Sequence, residues 1–120
     1  MEAIMLITED QRTIMLANGR EYVRNPDFDP VPVIKLFDPL GCGTWLLTDL
    51  NPDDPDIASG LCDLGMGSPE LGSVRITELE SIRTMPNRRG IGIEQDRSFR
   101  PAKPISEYAD NARRNQRIST

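Results

Sequence analysis

The chain contains no histidine. That removes Ser-His-Asp and Cys-His nucleophilic sites and every His-containing metal site. It has only two cysteines, Cys42 and Cys62. Two thiols cannot make a four-cysteine zinc site, and no CxxC pair is present. With no export signal, such a pair points to reduced thiols in a cytoplasm. No Gly-x-x-x-x-Gly-Lys-Ser/Thr loop occurs, so nothing marks a nucleotide-phosphate cradle and no cofactor is expected. No apolar run approaches the roughly 20 residues that span a bilayer, so no membrane partner is expected. The opening Met1–Thr8 is apolar, but it holds Glu2 and lacks a basic leader, which makes it a poor secretory signal. Any catalysis would have to rest on carboxylates, Lys, Arg, Tyr, Ser/Thr or an unaided thiolate.

What is present is ordinary for one globular domain. A length of 120 residues supports one modest core. The expected core runs over about 8–115, with 1–7 and 116–120 loosely ordered. Charge is uneven. Residues 1–80 hold five basic and fifteen acidic side chains, a net −10. Residues 81–120 hold nine basic and four acidic ones, a net +5. An acidic body argues against a general DNA binder, because phosphate contacts need a basic footprint. The basic end, including Arg88, Arg89, Arg113 and Arg114, leaves a local nucleic-acid contact open. The competing reading is a tail that packs back on the acidic body, near Asp53, Asp54 and Asp56.

Local signals predict an α+β fold with a mostly antiparallel sheet of four to five strands and two or three flanking helices. A helix is expected over 9–18, with Thr8 as N-cap, Gln11 closing a capping box and Asn18-Gly19 as a stop. Strands are expected at about 32–37, 44–50, 58–64 and 71–76. An acidic loop, 51–56, joins the second and third. Thr77-x-x-Glu80 reads as a capping box for a helix over 77–84. Residues 93–99 suit an edge strand. A last helix over 105–115 takes Ser106 as N-cap, and Ile105, Tyr108, Ala109 and Ala112 form one apolar stripe. The expected core includes Leu36, Leu46, Leu64, Val74, Leu79 and Ile82.

Two constellations could carry chemistry. In the acidic loop, Asp49, Asn51 and Asp53 have the alternate-oxygen spacing that begins a calcium loop. The sixth position holds Asp54 instead of Gly and the twelfth holds Gly60 instead of Glu, so a turn rich in Asx residues competes. Strand alternation places Asp49 on a face with Trp45 and Leu47, and Lys35 with Val33 and Phe37. A Lys35–Asp63 pair near Trp45 and Glu70 would make a polar cluster able to do acid–base work, or would be a structural ion pair. Cys62 reads as a small core residue and Cys42 as a more exposed thiol.

The ordered set Val33-Ile-Lys-Leu-Phe37, Thr44-Trp45-Leu46, Gly60-Leu-Cys-Asp-Leu-Gly65, Pro69-Glu-Leu-Gly72, Thr77-Glu-Leu-Glu80, Ile93-Glu-Gln-Asp96 and Phe99-Arg-Pro101 resembles the domain-of-unknown-function family 2958 over about residues 30–108. One departure is Arg97-Ser98, where the family often has an aromatic or apolar residue. The resemblance implies no catalytic residues. It implies an accessory role among plasmids, phages and conjugative elements. The resulting expectation is a non-enzymatic module of a mobile genetic element that binds a protein partner. The alternatives are a divalent-metal hydrolase or nuclease using Asp63 and Glu70, and a nucleic-acid contact through the basic end.

Overall fold

A computed structural model describes residues 5–120. Helix α1, Glu9–Arg24, opens on the expected Thr8/Gln11 capping box, with Thr8 Oγ1 accepting from the Gln11 N–H at 3.1 Å. It does not stop at Asn18-Gly19. The Asn18 side-chain amide donates to the Thr48 carbonyl at 2.8 Å. Gly19 is buried so tightly that an added Cβ would meet the Leu50 carbonyl oxygen. The dipeptide docks the helix instead of ending it, and α1 continues far enough to bring Tyr22 into one cavity with Thr48 and Asp49.

Strands β1 (Ile34–Phe37), β2 (Thr44–Asn51), β3 (Asp54–Asp63), β4 (Glu70–Arg75) and β5 (Glu94–Gln95) form one antiparallel sheet in the order β4-β3-β2-β1-β5. The fold is therefore the expected α+β arrangement. The acidic loop is shorter than expected. Asn51 already pairs with Asp54, leaving Pro52-Asp53 as a two-residue turn. Helix α2, Ile76–Ser81, begins one residue early, with Arg75 at its N-cap position. Thr77 makes no capping box. Its N–H and hydroxyl both donate to Asp56 of β3, while Glu80 accepts from the Leu6 N–H. Of the expected 93–99 strand, only Glu94–Gln95 pairs, with β1. Helix α3, Ile105–Asn115, takes Pro104 at the N-cap position, and Ser106 instead donates its N–H and hydroxyl to Asp29.

The sheet separates two apolar layers. One face buries Ile34, Leu36, Trp45, Leu47, Leu50 and Ala58 with Met15 of α1, Ile76 and Leu79. The other buries Leu46 and Leu61 under Ile105, Tyr108, Ala109 and Ala112 of α3. That apolar stripe has the role its spacing implied. Leu36, Leu46 and Leu79 are core, whereas Val74 and Ile82 are only partly buried and Leu64 is 63% exposed. Leu64 lies just beyond β3, in the turn to β4, where alternation no longer directs it inward. The edges of the domain are tied down further than expected. Leu6 and Ile7 are buried. Past α3, the Ile118 N–H donates to Asp63 and Thr120 receives the Lys35 ammonium at 2.7 Å. Residues 1–4 lie outside the described residues.

Candidate functional site

The sheet divides the Lys35, Asp63, Glu70 and Trp45 cluster. Cross-strand pairing puts Trp45 opposite Cys62, and Cys62 opposite Glu70, all on the α1 face. Lys35 pairs with Leu46, and Leu46 with Leu61, on the α3 face. Asp63 shares the α3 side, yet it meets no cation. Its Oδ1 accepts from the Gly65 N–H at 2.8 Å and its Oδ2 from the Ile118 N–H at 2.9 Å. Those bonds make Asp63 the anchor of the segment that follows α3. Lys35 turns to Asp96 at 3.7 Å. Glu70 is exposed on the edge strand. The expected Lys35–Asp63 pair does not form, and no shared acid–base site results.

The Asp49, Asn51 and Asp53 set also separates. Asn51 Oδ1 accepts from the Asp53 N–H at 2.8 Å, a local Asx turn, and Asp53 is exposed. Asp49 points elsewhere because β2 carries a bulge. Leu47 opposes Gly60 and Asp49 opposes Ser59, so Thr48 is the extra residue. One inserted residue reverses the alternation beyond it. Asp49 therefore lies on the face opposite Trp45 and Leu47, contrary to simple alternation. Among the described residues, no group of three or more metal-ligating side chains forms.

The basic residues do not act together either. Arg88 grips Asp38 with two hydrogen bonds, 2.8 and 3.1 Å, and donates its Nε–H to the Ile91 carbonyl. This pairing holds the Asp38 carboxyl below its usual range. Arg113 pairs with Asp110 one helical turn away, and Arg89 and Arg114 are exposed. Asp54 and Asp56 are taken by Arg75, not by the basic end. Asp56 is held below its usual range despite its partial desolvation, through hydrogen bonds from Thr77 and Arg75.

Two features that local pattern did not single out lie side by side. The first is a cavity of about 420 Å³ lined by Tyr22, Thr48, Asp49, Ser59, Leu71 and Ser73, with Ile105 and the backbones of Gly60 and Gly72. Asp49 is only 7% exposed. Its Oδ1 lies 2.6 Å from the Thr48 hydroxyl, which also reaches the Ser59 carbonyl at 3.2 Å. Burial pushes the Asp49 carboxyl above its usual range, with the Thr48 hydroxyl working against it. Burial and then the Asp49 charge push the Tyr22 phenol up.

The second is strand β4. It is the last strand of the sheet on its side, and all of its residues except Val74 are exposed. Among the described residues, no turn, loop or cap backbone hydrogen bond reaches 70–74 from outside the sheet. A further cavity of about 380 Å³ borders it, lined by Cys62, Leu64, Met66, Ser68 and Glu70. Both cavities share Leu71, Gly72 and Ser73. Leu71, Leu64 and Met66 are 51, 63 and 81% exposed.

A family model described as protein of unknown function (DUF2958) matches residues 6–119. The chain belongs to the DUF2958 family. The family match runs from Leu6 of the core to Ser119 and so takes in every helix and strand described above, including the bulge and the β4 edge. This agrees with the resemblance carried by the ordered motifs and extends it at both ends. No curated protein and no solved structure matches the chain.

Proposed function

We propose that this DUF2958 protein is a non-enzymatic interaction module that takes an extended segment of a protein partner onto the free edge of β4. The observation that carries the reading is the difference between the sheet's two edges. β5 ends one side with two residues. β4 ends the other with six, and its centre, Leu71-Gly72-Ser73-Val74, carries neither charge nor proline. Natural edge strands are normally blunted by brevity, charge, proline or a bulge, because unpaired N–H and C=O groups template another strand. In strand addition, backbone hydrogen bonds supply affinity and pockets for alternate side chains supply specificity. Cavities flanking β4, with Leu64, Met66 and Leu71 exposed around them, suit that mode.

The setting of a mobile genetic element comes from the family resemblance. A cytoplasmic location suits the two free thiols, Cys42 and Cys62. Among the described residues, no helix is long and apolar enough to cross a membrane.

The test is affinity capture from the native host, comparing the natural chain with Gly72→Lys and Arg114→Ala. Open space surrounds a Cβ added at Gly72, so the lysine charges the edge without a clash. The reading expects a partner lost with Gly72→Lys and kept with Arg114→Ala. A partner indifferent to Gly72→Lys contradicts it.

A further inference from the structure

The acidic body satisfies most of its inward-facing carboxylates internally. Asp38 holds Arg88, Asp54 and Asp56 hold Arg75, and Asp63 holds two backbone N–H groups. Asp49 is different. It is the most deeply buried of these acids apart from Asp63, and no Lys or Arg lies within ion-pair distance of it among the described residues. Only its Oδ1 has a hydrogen-bond partner, the Thr48 hydroxyl. That hydroxyl has one proton to share between Asp49 and the Ser59 carbonyl. Among the described residues, every fully enclosed side-chain oxygen or nitrogen has a partner. The free Oδ2 therefore opens onto the cavity. A carboxylate withdrawn from water without a cation is unfavourable, and a ligand that brings the cation relieves it.

We propose that the Asp49 cavity binds a guanidinium or alkylammonium group carried on an aliphatic stem. Asp49 supplies the counter-charge. Leu71 and Ile105 give apolar wall for the stem, Tyr22 gives an aromatic one, and Ser59 and Ser73 add polar lining. A volume of about 420 Å³ lies in the range of small-ligand sites. Guanidinium fits better than ammonium, because it is more weakly hydrated and can fork between acceptors.

This site stands apart from strand addition on β4. An added strand would lie three strand spacings, roughly 14 Å, from β2. A Lys or Arg fixed within that strand falls short of Asp49. The cation arrives either as a free amine-bearing molecule or on a partner side chain outside the paired strand.

The experiment is an amide-resolved NMR titration of the full chain with n-butylguanidinium, with neutral n-butylurea as a control of similar shape, and with both probes on Asp49→Asn. The asparagine keeps an oxygen for Thr48, and its melting curve checks that the fold persists. The proposal expects saturable guanidinium shifts at Thr48, Asp49, Ser59 and Leu71–Ser73. Urea should bind at least about tenfold more weakly, and Asp49→Asn should erase the difference. A capped Gly-Arg-Gly peptide then separates the sources. Binding as tight as butylguanidinium identifies a partner side chain, and weaker binding a free ligand. Absence of saturable shifts up to about 20 mM, equal binding of urea, or guanidinium binding undiminished in Asp49→Asn overturns the proposal. Asp49→Asn leaves the β4 edge in place, so partner capture by that variant, read beside its guanidinium binding, separates failure of one reading from failure of the other.

Discussion

Replacing Gly19 by alanine tests how α1 meets the sheet, because two physical effects oppose each other there. Inside a helix, Gly→Ala is worth about 1 kcal/mol in favour of alanine, from backbone entropy and solvation. At this position the new Cβ would meet the carbonyl carbon of Leu50 at 3.1 Å and Pro52 Cδ at 3.3 Å, and would overlap the Leu50 carbonyl oxygen outright. The obstacle is the backbone of a central strand, so no rotamer change relieves it. The helix has to move away from β2, which also stretches the Asn18–Thr48 hydrogen bond of 2.8 Å. Overpacking of this kind costs about 1–3 kcal/mol or more. Set against the helix-propensity gain, the net expectation is a loss of about 1–2 kcal/mol, since the clash involves immovable atoms. For a domain of this size that lowers Tm by about 4–8 °C. Thermal unfolding by circular dichroism and urea titration would read it. Gly72→Ala, with nothing within 4 Å of its added Cβ, is the control and should change little. A rise in Tm for Gly19→Ala would refute the argument that this glycine exists for close approach, and with it the placement of Tyr22 over the Asp49 cavity.

Other expectations follow from the same geometry. Asp49→Asn should stabilise the protein at neutral pH. The folded-state pKa of Asp49 is raised by burial above 3.8, so its stabilising contribution is complete below that value and is lost as pH rises through the folded pKa. Tyr22 is the titratable neighbour of Asp49 in the cavity, and the charge of Asp29 acts on Tyr22. Urea titrations of both proteins should converge below pH 3.8 and separate progressively as pH rises above it, and a separation independent of pH would contradict this. Leu46→Ala should cost about 2–5 kcal/mol and Leu64→Ala no more than about 0.5, by denaturant titration. Equal losses would show that the buried centre of β2 and the exposed turn after β3 have been confused. Arg88→Ala should let the Asp38 carboxyl titrate closer to 3.8, followed by NMR. The pairing stabilises above 3.8 and is lost as pH falls through the lowered value, so the stability gap should narrow in acid.

Local pattern in the sequence was sufficient for the antiparallel sheet, the Thr8 cap and the apolar stripe of α3, because each depends on neighbours within one or two turns. It failed where a distant backbone decides. Asn18-Gly19 has the chemistry of a helix stop, and only β2 shows it to be a docking pair. Thr77 has the chemistry of an N-cap, but Asp56, twenty-one residues away, takes its donors. The candidate sites failed for a related reason. Assigning Lys35, Asp63, Glu70 and Trp45 to faces requires the strand register, and assigning Asp49 requires the bulge at Thr48. Gly60, whose Cβ would overlap the Leu46 carbonyl, is the one local sign of that irregularity. The calcium-loop spacing reads Asp49 as a cation ligand at the start of the acidic loop; the structure places it in a cavity with Tyr22, a residue that no pattern joins to it.

The docking edge is tested most directly by a photo-crosslinking residue placed in vivo at Leu71, with Glu107 on α3 as the comparison site, followed by mapping of the joined peptide. The account predicts a protein crosslink at Leu71 and none of that species at Glu107, with the joined partner peptide lying in an extended segment. Crosslinking to the same partner from Glu107 but not from Leu71 would contradict it.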